Sequence, residues 1–162
     1  MRHLMTTLLA ALAATTALAQ TGGRIYIEDF EIAPDSTIAV PVMLANAEAT
    51  QGLQFNMYLP DGLTLEEIEL TKYSRRLKMN AVDNRKDDKW IVAVYSMSQT
   101  SFPPDTAAVL TLTLTARPEF QGGNIIIKKS QGSSLDFTTI YYDDSSTTVT
   151  RALEQWMNPL NL

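Results

Sequence analysis

Strict two-residue alternation is the feature that most constrains the fold of this chain. In the stretch VLTLTLTA, Leu110, Leu112 and Leu114 alternate with threonines. In GLQFNMYL (52–59), every second residue is apolar until the Pro-Asp-Gly turn at 60–62. Because successive side chains of a strand point to opposite faces, such runs predict β-strands with one buried face and one exposed face.

Similar runs recur about every dozen residues, with turn residues between them, which predicts an all-β sandwich or barrel of eight or nine strands. KWIVAVYSM is apolar on both faces, which is typical of a central strand, whereas Pro41 predicts a sheet edge or a bulge because it lacks an N–H. The expected strands are RIYIEDFEI (24–32), TIAVPVMLA (37–45), GLQFNMYL (52–59), LTLEEIEL (63–70), RRLKMNAVD (75–83), KWIVAVYSM (89–97), VLTLTLTA (109–116), GNIIIKKS (123–130) and DFTTIYYDD (136–144).

The two ends of the chain differ from this pattern. Residues 1–19 combine a short basic start, an uncharged apolar run and ALA before Gln20, which predicts a cleaved signal peptide and export to the periplasm, cell surface or exterior. The sandwich is expected over 20–150. The tail at 151–162, RALEQWMNPLNL, places its apolar residues on one helical face. It is therefore predicted to be a short terminal helix, or a segment that docks to a neighbouring protein.

The composition excludes most catalytic chemistry. The chain has no cysteine, and its one histidine, His3, leaves with the expected signal peptide. Ser-His-Asp and Cys-His nucleophilic sites are therefore excluded, as are ordinary zinc, haem and copper sites. We expect no enzyme activity and no cofactor. The net charge of −5 argues against nucleic-acid binding.

Three other groups of residues are candidate sites. Tyr141, Tyr142 and Trp90 offer aromatic rings for sugar stacking, although adjacent strand residues point to opposite faces, so that one of the two tyrosines is expected in the core. Ser36 in DST and Thr106 in DTA resemble the O-glycosylation signal of Bacteroidetes, and both are expected in turns before strands. The carboxylates of VDNRKDDKW (82–90) are interspersed with basic residues, which favours a charged loop over a calcium site.

The order of these segments resembles the cohesin domain, and in particular the cohesin-like modules of secreted Bacteroidetes proteins. The resemblance rests on APDS, IAVPVMLANAEATQGLQFNMYLPDGL, WIVAVYSM and AAVLTLTLTA, and covers most of 25–149. It implies a nine-stranded, two-sheet antiparallel jelly-roll sandwich without catalytic activity. It also implies a dockerin-like protein partner bound through an exposed sheet face, with Gln54, Asn56 and Tyr58 as contact residues. The same three residues also fit a plain solvated face.

The sequence thus leaves three functional hypotheses open. The first is a protein-binding module that uses a sheet face. The second is a carbohydrate-binding module that uses exposed aromatic rings. The third is an assembly protein that docks through its tail. No membrane span is expected after the signal peptide has been removed.

Overall fold

The structure of the chain is a computed structural model, which describes residues 22–153. The expected signal peptide at 1–19 lies outside the described residues. The expected terminal helix at 151–162 also lies largely outside them, because only residues 151–153 of this segment are described.

The described part is mostly β-strand, with one helix of five residues. In chain order the elements are β1 (Gly23–Tyr26), β2 (Phe30–Ile32), β3 (Ser36–Asn46), β4 (Gly52–Tyr58), β5 (Leu63–Leu70), α1 (Lys72–Arg76), β6 (Met79–Lys86), β7 (Lys89–Ser96), β8 (Asp105–Ala116), β9 (Gly123–Ser133), β10 (Thr139–Tyr141) and β11 (Ser145–Arg151).

The strands form two sheets. The four-stranded sheet has the order β1-β3-β8-β5, and the seven-stranded sheet has the order β2-β11-β9-β4-β7-β6, with β10 paired to β9. Apart from the parallel pair of β2 and β11, the strands named here pair antiparallel. The predicted two-sheet antiparallel sandwich is therefore confirmed, and β7 is an interior strand, as its apolar faces predicted.

The core lies between the two sheets and is built from the alternating positions. Leu110, Leu112 and Leu114 of β8 are fully buried, and the threonines between them are half-buried on the outer face. From the other sheet, β4 and β9 contribute inward aromatic and aliphatic side chains, including Phe55 and Ile127. Because a slip of one residue would turn these side chains to solvent, the hydrophobic pattern fixes the register of each strand.

Pro41 occupies a position that tolerates a missing N–H. It is paired with Thr111 of β8, and the register shifts just beyond it, between Val42 and Met43. On its other side, β1 pairs only with Met43–Asn46, so that β3 is an edge strand at Pro41. Both features expected from the proline, an edge and a bulge, are found here.

Three predictions about individual strands were wrong in detail. The stretch 24–32 forms two strands, because β1 joins the four-stranded sheet and β2 joins the seven-stranded sheet. The stretch 75–83 begins as α1, whose N-cap is Thr71, and only its second half is the edge strand β6. A strand at 145–151, β11, was not predicted, which is one reason why the described part holds more strands than the eight or nine expected.

Candidate docking face

The outer face of the seven-stranded sheet carries the three residues expected to contact a protein partner. β4 buries its apolar side chains in the core, so that alternation places Gln54, Asn56 and Tyr58 on the opposite face. Gln54 is exposed and Tyr58 is half-buried, whereas Asn56 is only 7% exposed. The structure thus brings the three residues to one surface, but gives them different access to solvent.

The neighbouring strands extend this surface on both sides of β4. Gln54 lies between Ala93 of β7 and Gln131 of β9, and Asn56 lies beside Ile91 of β7. Because residues paired across antiparallel strands share a face, the surface continues over β6, β7, β4 and β9. We call it the central face, and its principal outward residues are Val82, Asn84, Ile91, Ala93, Tyr95, Gln54, Asn56, Tyr58, Ile126 and Lys128.

The central face combines exposed apolar groups with a positive charge balance. Val82 and Tyr95 are large hydrophobic side chains that remain exposed, at 51% and 37%. The only carboxylate on the four strands is Asp83, whose cross-strand partner Val92 is buried, so that Asp83 lies on the opposite side of the sheet. The same strands carry four lysines: Lys86, Lys89, Lys128 and Lys129. The turn between Lys86 and Lys89 adds Asp87 and Asp88, so the excess of positive charge comes from Lys128 and Lys129 on β9.

A register shift between β4 and β9 opens a cleft at one side of the central face. The shift falls between Gln54 and Asn56, and opposite it Lys129 has a left-handed backbone with φ of 52°. The cleft has a volume of about 440 Å³. Its lining residues are Gln54, Asn56, Lys129, Ser130, Gln131, Tyr141 and Tyr142. Sequence reasoning missed Lys129, Ser130 and Gln131, although the adjacent lysines at 128–129 interrupt the alternation of β9.

The three aromatic residues considered for sugar binding lie in different environments. Tyr141 is 68% exposed at the cleft, whereas Tyr142 is buried and its hydroxyl shares a hydrogen bond of 2.8 Å with Thr50 Oγ1. One tyrosine exposed and one in the core is the arrangement that alternation predicted. Trp90 is half-buried at the margin of the core and lines a different cleft of about 300 Å³, with the Arg85 guanidinium 5.9 Å from its ring centre. The three rings therefore do not form one platform.

Tyr142 is expected to make the stability of the fold sensitive to alkaline pH. Burial raises the pKa of the Tyr142 phenol, and the nearby Glu48 carboxylate adds to this, while the Thr50 hydrogen bond opposes it. Burial, followed by the charge of Asp105, likewise raises the pKa of Tyr73. In the unfolded chain both phenols ionise near pH 10. The stability they contribute is therefore complete below about pH 10 and is lost as the pH rises further.

Replacing Tyr142 with phenylalanine should reduce this loss. Urea titrations at neutral pH are expected to show a cost of about 1 kcal/mol, because the buried hydrogen bond to Thr50 is removed. Above about pH 10 the variant should lose less stability per pH unit than the parent chain, since only Tyr73 still resists ionisation. An identical alkaline slope in the two proteins would contradict the role assigned to Tyr142.

The two predicted O-glycosylation acceptors lie at the beginnings of strands. Ser36 is the first residue of β3, and its hydroxyl donates a hydrogen bond of 2.5 Å to the Ala33 carbonyl. Thr106 is exposed and is the second residue of β8. The expectation that both lie in turns before strands is thus off by one or two residues. Glycosylation at either position stays a prediction, and Thr106 has the more accessible hydroxyl.

Neither a metal centre nor a spanning helix is found in the part of the chain that the structure describes. No group of three or more histidine, cysteine, aspartate or glutamate residues between 22 and 153 is arranged to hold a metal ion. The carboxylates of the β6–β7 region are included in this statement. Within the same range, no helix has the length and apolar character needed to cross a bilayer.

Comparison with known proteins identifies the fold through structure alone. No family model matches the chain, and no curated protein matches it. One similar solved structure is the sixth cohesin of scaffoldin B from Acetivibrio cellulolyticus, which was crystallised with a Cel5 dockerin mutant. It has a TM-score of 0.65 at 15% identity, and the match covers 82% of this chain and 100% of that cohesin. A cohesin module from a family 33 glycoside hydrolase of Clostridium perfringens has a TM-score of 0.66 at 14% identity, with the same coverages.

A non-cellulosomal cohesin from the archaeon Archaeoglobus fulgidus is also similar, with a TM-score of 0.62 at 11% identity, covering 78% of this chain and 90% of its own. These likenesses confirm the jelly-roll sandwich of cohesin modules as the fold. The identities are too low to carry more than the fold. The Bacteroidetes origin and the secretion implied by the sequence resemblance stay predictions.

Proposed function

We propose that this chain is an exported, non-catalytic binding module that docks a dockerin-like protein partner through its central face. The fold supports a protein-binding role, because similar cohesin modules were crystallised with dockerins. The observation that carries the choice of surface is the composition of the central face. Its exposed valine and tyrosine lie among amide side chains on a wide sheet surface, a mixture typical of interfaces that bind and release a partner.

The charges of the central face indicate what kind of partner surface would bind to it. Four lysines lie on the strands that form the central face, whereas Asp83 lies on the opposite side and the other nearby carboxylates, Asp87 and Asp88, lie in the β6–β7 turn. A surface of this sign attracts acidic patches and repels basic ones during encounter. The partner is therefore proposed to present carboxylates to β6, β7, β4 and β9. Its association rate should fall as salt concentration rises, because exposed charges are screened.

The absence of catalysis is proposed from composition. The chain has no cysteine and a single histidine at position 3, within the expected signal peptide. Nucleophilic sites that depend on these side chains are therefore unavailable to the exported protein. Export itself rests on the sequence of residues 1–19.

The docking proposal is tested with a charge placed at the most exposed apolar residue of the face, Val82 on the edge strand β6. Once a partner has been isolated from the native host, its dissociation constant is measured for the parent chain, Val82→Glu and Tyr58→Ala. Val82→Glu is expected to weaken binding at least tenfold, about 1.4 kcal/mol, because it buries an acid against an acidic partner. Tyr58→Ala should weaken it less, since Tyr58 is half-buried and its ring is already 5.7 Å from the Lys128 ammonium.

Ala39→Glu is the matched control, because Ala39 is exposed on β3 in the four-stranded sheet. It introduces the same charge on the other side of the sandwich and should leave the dissociation constant unchanged. Unchanged binding by Val82→Glu together with lost binding by Ala39→Glu would assign docking to the four-stranded sheet instead. A variant truncated after Leu153 distinguishes docking through the tail from docking through the central face. If this variant still binds the partner, the tail is not part of the interface.

A further inference from the structure

The cleft between β4 and β9 contains a buried polar group that the fold itself does not satisfy. The hydroxyl of Ser130, which is 3% exposed, has no hydrogen-bond partner within residues 22–153. Asn56, which is 7% exposed, lines the same cleft. A buried polar group without a partner costs about 1–3 kcal/mol, and such groups in native proteins usually serve a bound water or ligand.

The more exposed wall of the cleft is also lined by polar side chains. Gln54 and Gln131 are paired across β4 and β9, and both side chains are exposed at the cleft. Each primary amide offers one acceptor and two donor hydrogens. The cleft is therefore lined by three carboxamides and a hydroxyl, each of which can both donate and accept, together with Lys129.

The exposed ring of Tyr141 supplies an apolar wall beside these polar groups. Tyr141 is the last residue of β10 and pairs with Gln131, so the hydrogen-bonding of β10 to β9 fixes its position at the cleft. At 68% exposure the ring makes little contact with its own protein and remains free to cover a ligand. The cleft volume of about 440 Å³ is within the range of small-ligand sites, roughly 300–1,000 Å³.

We propose that this cleft binds a pyranose sugar, with the C–H face of the sugar ring against Tyr141 and its hydroxyls on Gln54, Asn56 and Gln131. Sugar hydroxyls both donate and accept, so that they satisfy the oxygen as well as the nitrogen of each amide. A carboxylate only accepts, and it would leave the amide oxygens without donors. The proposed sugar site shares Gln54 and Asn56 with the central face, but its other residues lie on β9 and β10 and Val82 is not among them, so the two proposals can be tested separately.

The site differs from the one expected from the sequence. Of the three aromatic residues considered there, only Tyr141 offers an exposed ring to the cleft, since Tyr142 is buried beneath it and Trp90 lines another cleft. The polar half of the site comes from β9, which precedes β10 in the chain, and from β4, which is distant in sequence and reaches Tyr141 through the pairing of β4 and β10 with β9.

The test is a titration of the purified, isotope-labelled protein with D-glucose, D-galactose, N-acetyl-D-glucosamine and D-glucuronate, followed by NMR of the side-chain amides. At least one sugar is expected to give saturable shifts at Gln54, Asn56 and Gln131, with a dissociation constant on the order of 1 mM or tighter. Tyr141→Ala should weaken that sugar about tenfold. Tyr95→Ala is the matched control, because Tyr95 lies on the central face outside this cleft, and should change nothing.

Two outcomes would overturn the proposal. One is the lack of saturable shifts at these amides with every sugar, which would leave ordered water as the occupant of the cleft. The other is saturation by N-acetyl-L-glutamate without saturation by any sugar, which would make the cleft a receptor for a peptide carboxylate. Val82→Glu is expected to keep the sugar shifts intact, so that failure of the docking proposal and failure of this one give different results.

Discussion

Replacing Phe55 with alanine is expected to lower the free energy of unfolding by about 3–5 kcal/mol. Phe55 is fully buried in the middle of β4, an interior strand of the seven-stranded sheet. Its ring belongs to the core between the sheets, and deletion leaves a cavity that the neighbouring strands, held by hydrogen bonds on both sides, cannot close. Urea unfolding followed by circular dichroism measures the change as a lower midpoint at constant slope.

Phe137→Ala is the matched control for this prediction. Phe137 lies between β9 and β10 and is 82% exposed. The same atoms are deleted, but almost none of them are removed from water by folding, so the change should stay within about 0.5 kcal/mol. Equal losses for the two phenylalanines would contradict the assignment of β4 to the core.

Asn46→Ala is expected to cost about 3 kcal/mol, although the residue makes no contact with either candidate site. Asn46 is buried at the end of β3, and its Nδ2 donates to the carbonyl of Glu48 at 2.8 Å. The same nitrogen donates to the carbonyls of Phe102 and Pro103 at 3.2 and 3.1 Å, and Oδ1 accepts from the Asp105 N–H at 3.4 Å. One side chain thus joins the end of β3 to the segment that leads into β8.

Alanine would leave these backbone groups without the partner that now satisfies them, and a buried unpaired group is more costly than a missing solvent-exposed bond. Asn80→Ala, on exposed β6, is the control and should be nearly neutral. Thermal and urea unfolding of both variants measures the difference. A loss below about 0.5 kcal/mol for Asn46→Ala would mean that water replaces the amide without penalty.

The parts of the fold that could be predicted from sequence are those in which burial alone decides the pattern. In β8 and β4, leucine, phenylalanine and methionine alternate with polar residues, because one face of each strand lies on the core. β11 does not follow this rule. Its inward position at Thr147 is polar, and the hydroxyl donates to the Ile27 carbonyl at 2.7 Å in a buried environment. A hydrogen bond to a residue 120 positions away replaces the apolar contact that the sequence pattern would have signalled.

The short helix α1 was missed for a related reason. The stretch around Arg75 is charged and lacks the apolar stripe of a helix long enough to be recognised. Tertiary contacts fix it instead: the buried hydroxyl of Ser74 donates to the Val109 carbonyl at 2.7 Å, and Thr71 Oγ1 donates to the Ala108 carbonyl at 2.8 Å. Both acceptors belong to β8, whose position relative to Ser74 cannot be read from local sequence.

The candidate site also has one part that local sequence predicts and one part that depends on contacts between distant strands. Alternation in β4 correctly places Gln54, Asn56 and Tyr58 on one face, because only local geometry is involved. The cleft next to them depends on the register shift between β4 and β9, which is a property of two strands that are distant in sequence. The unpaired hydroxyl of Ser130 is likewise visible only when the surroundings of this residue are known.

The four outermost strands restrict how any partner can attach. β1 and β2 have only four and three residues, while β5 carries a bulge and consecutive glutamates, and β6 ends in charged and polar residues. Short, kinked or charged strands make poor templates for another backbone, which protects the protein from edge-to-edge aggregation. Recognition by addition of a foreign strand is disfavoured for the same reason. A partner of the kind proposed would therefore contact this protein through side chains rather than through peptide groups.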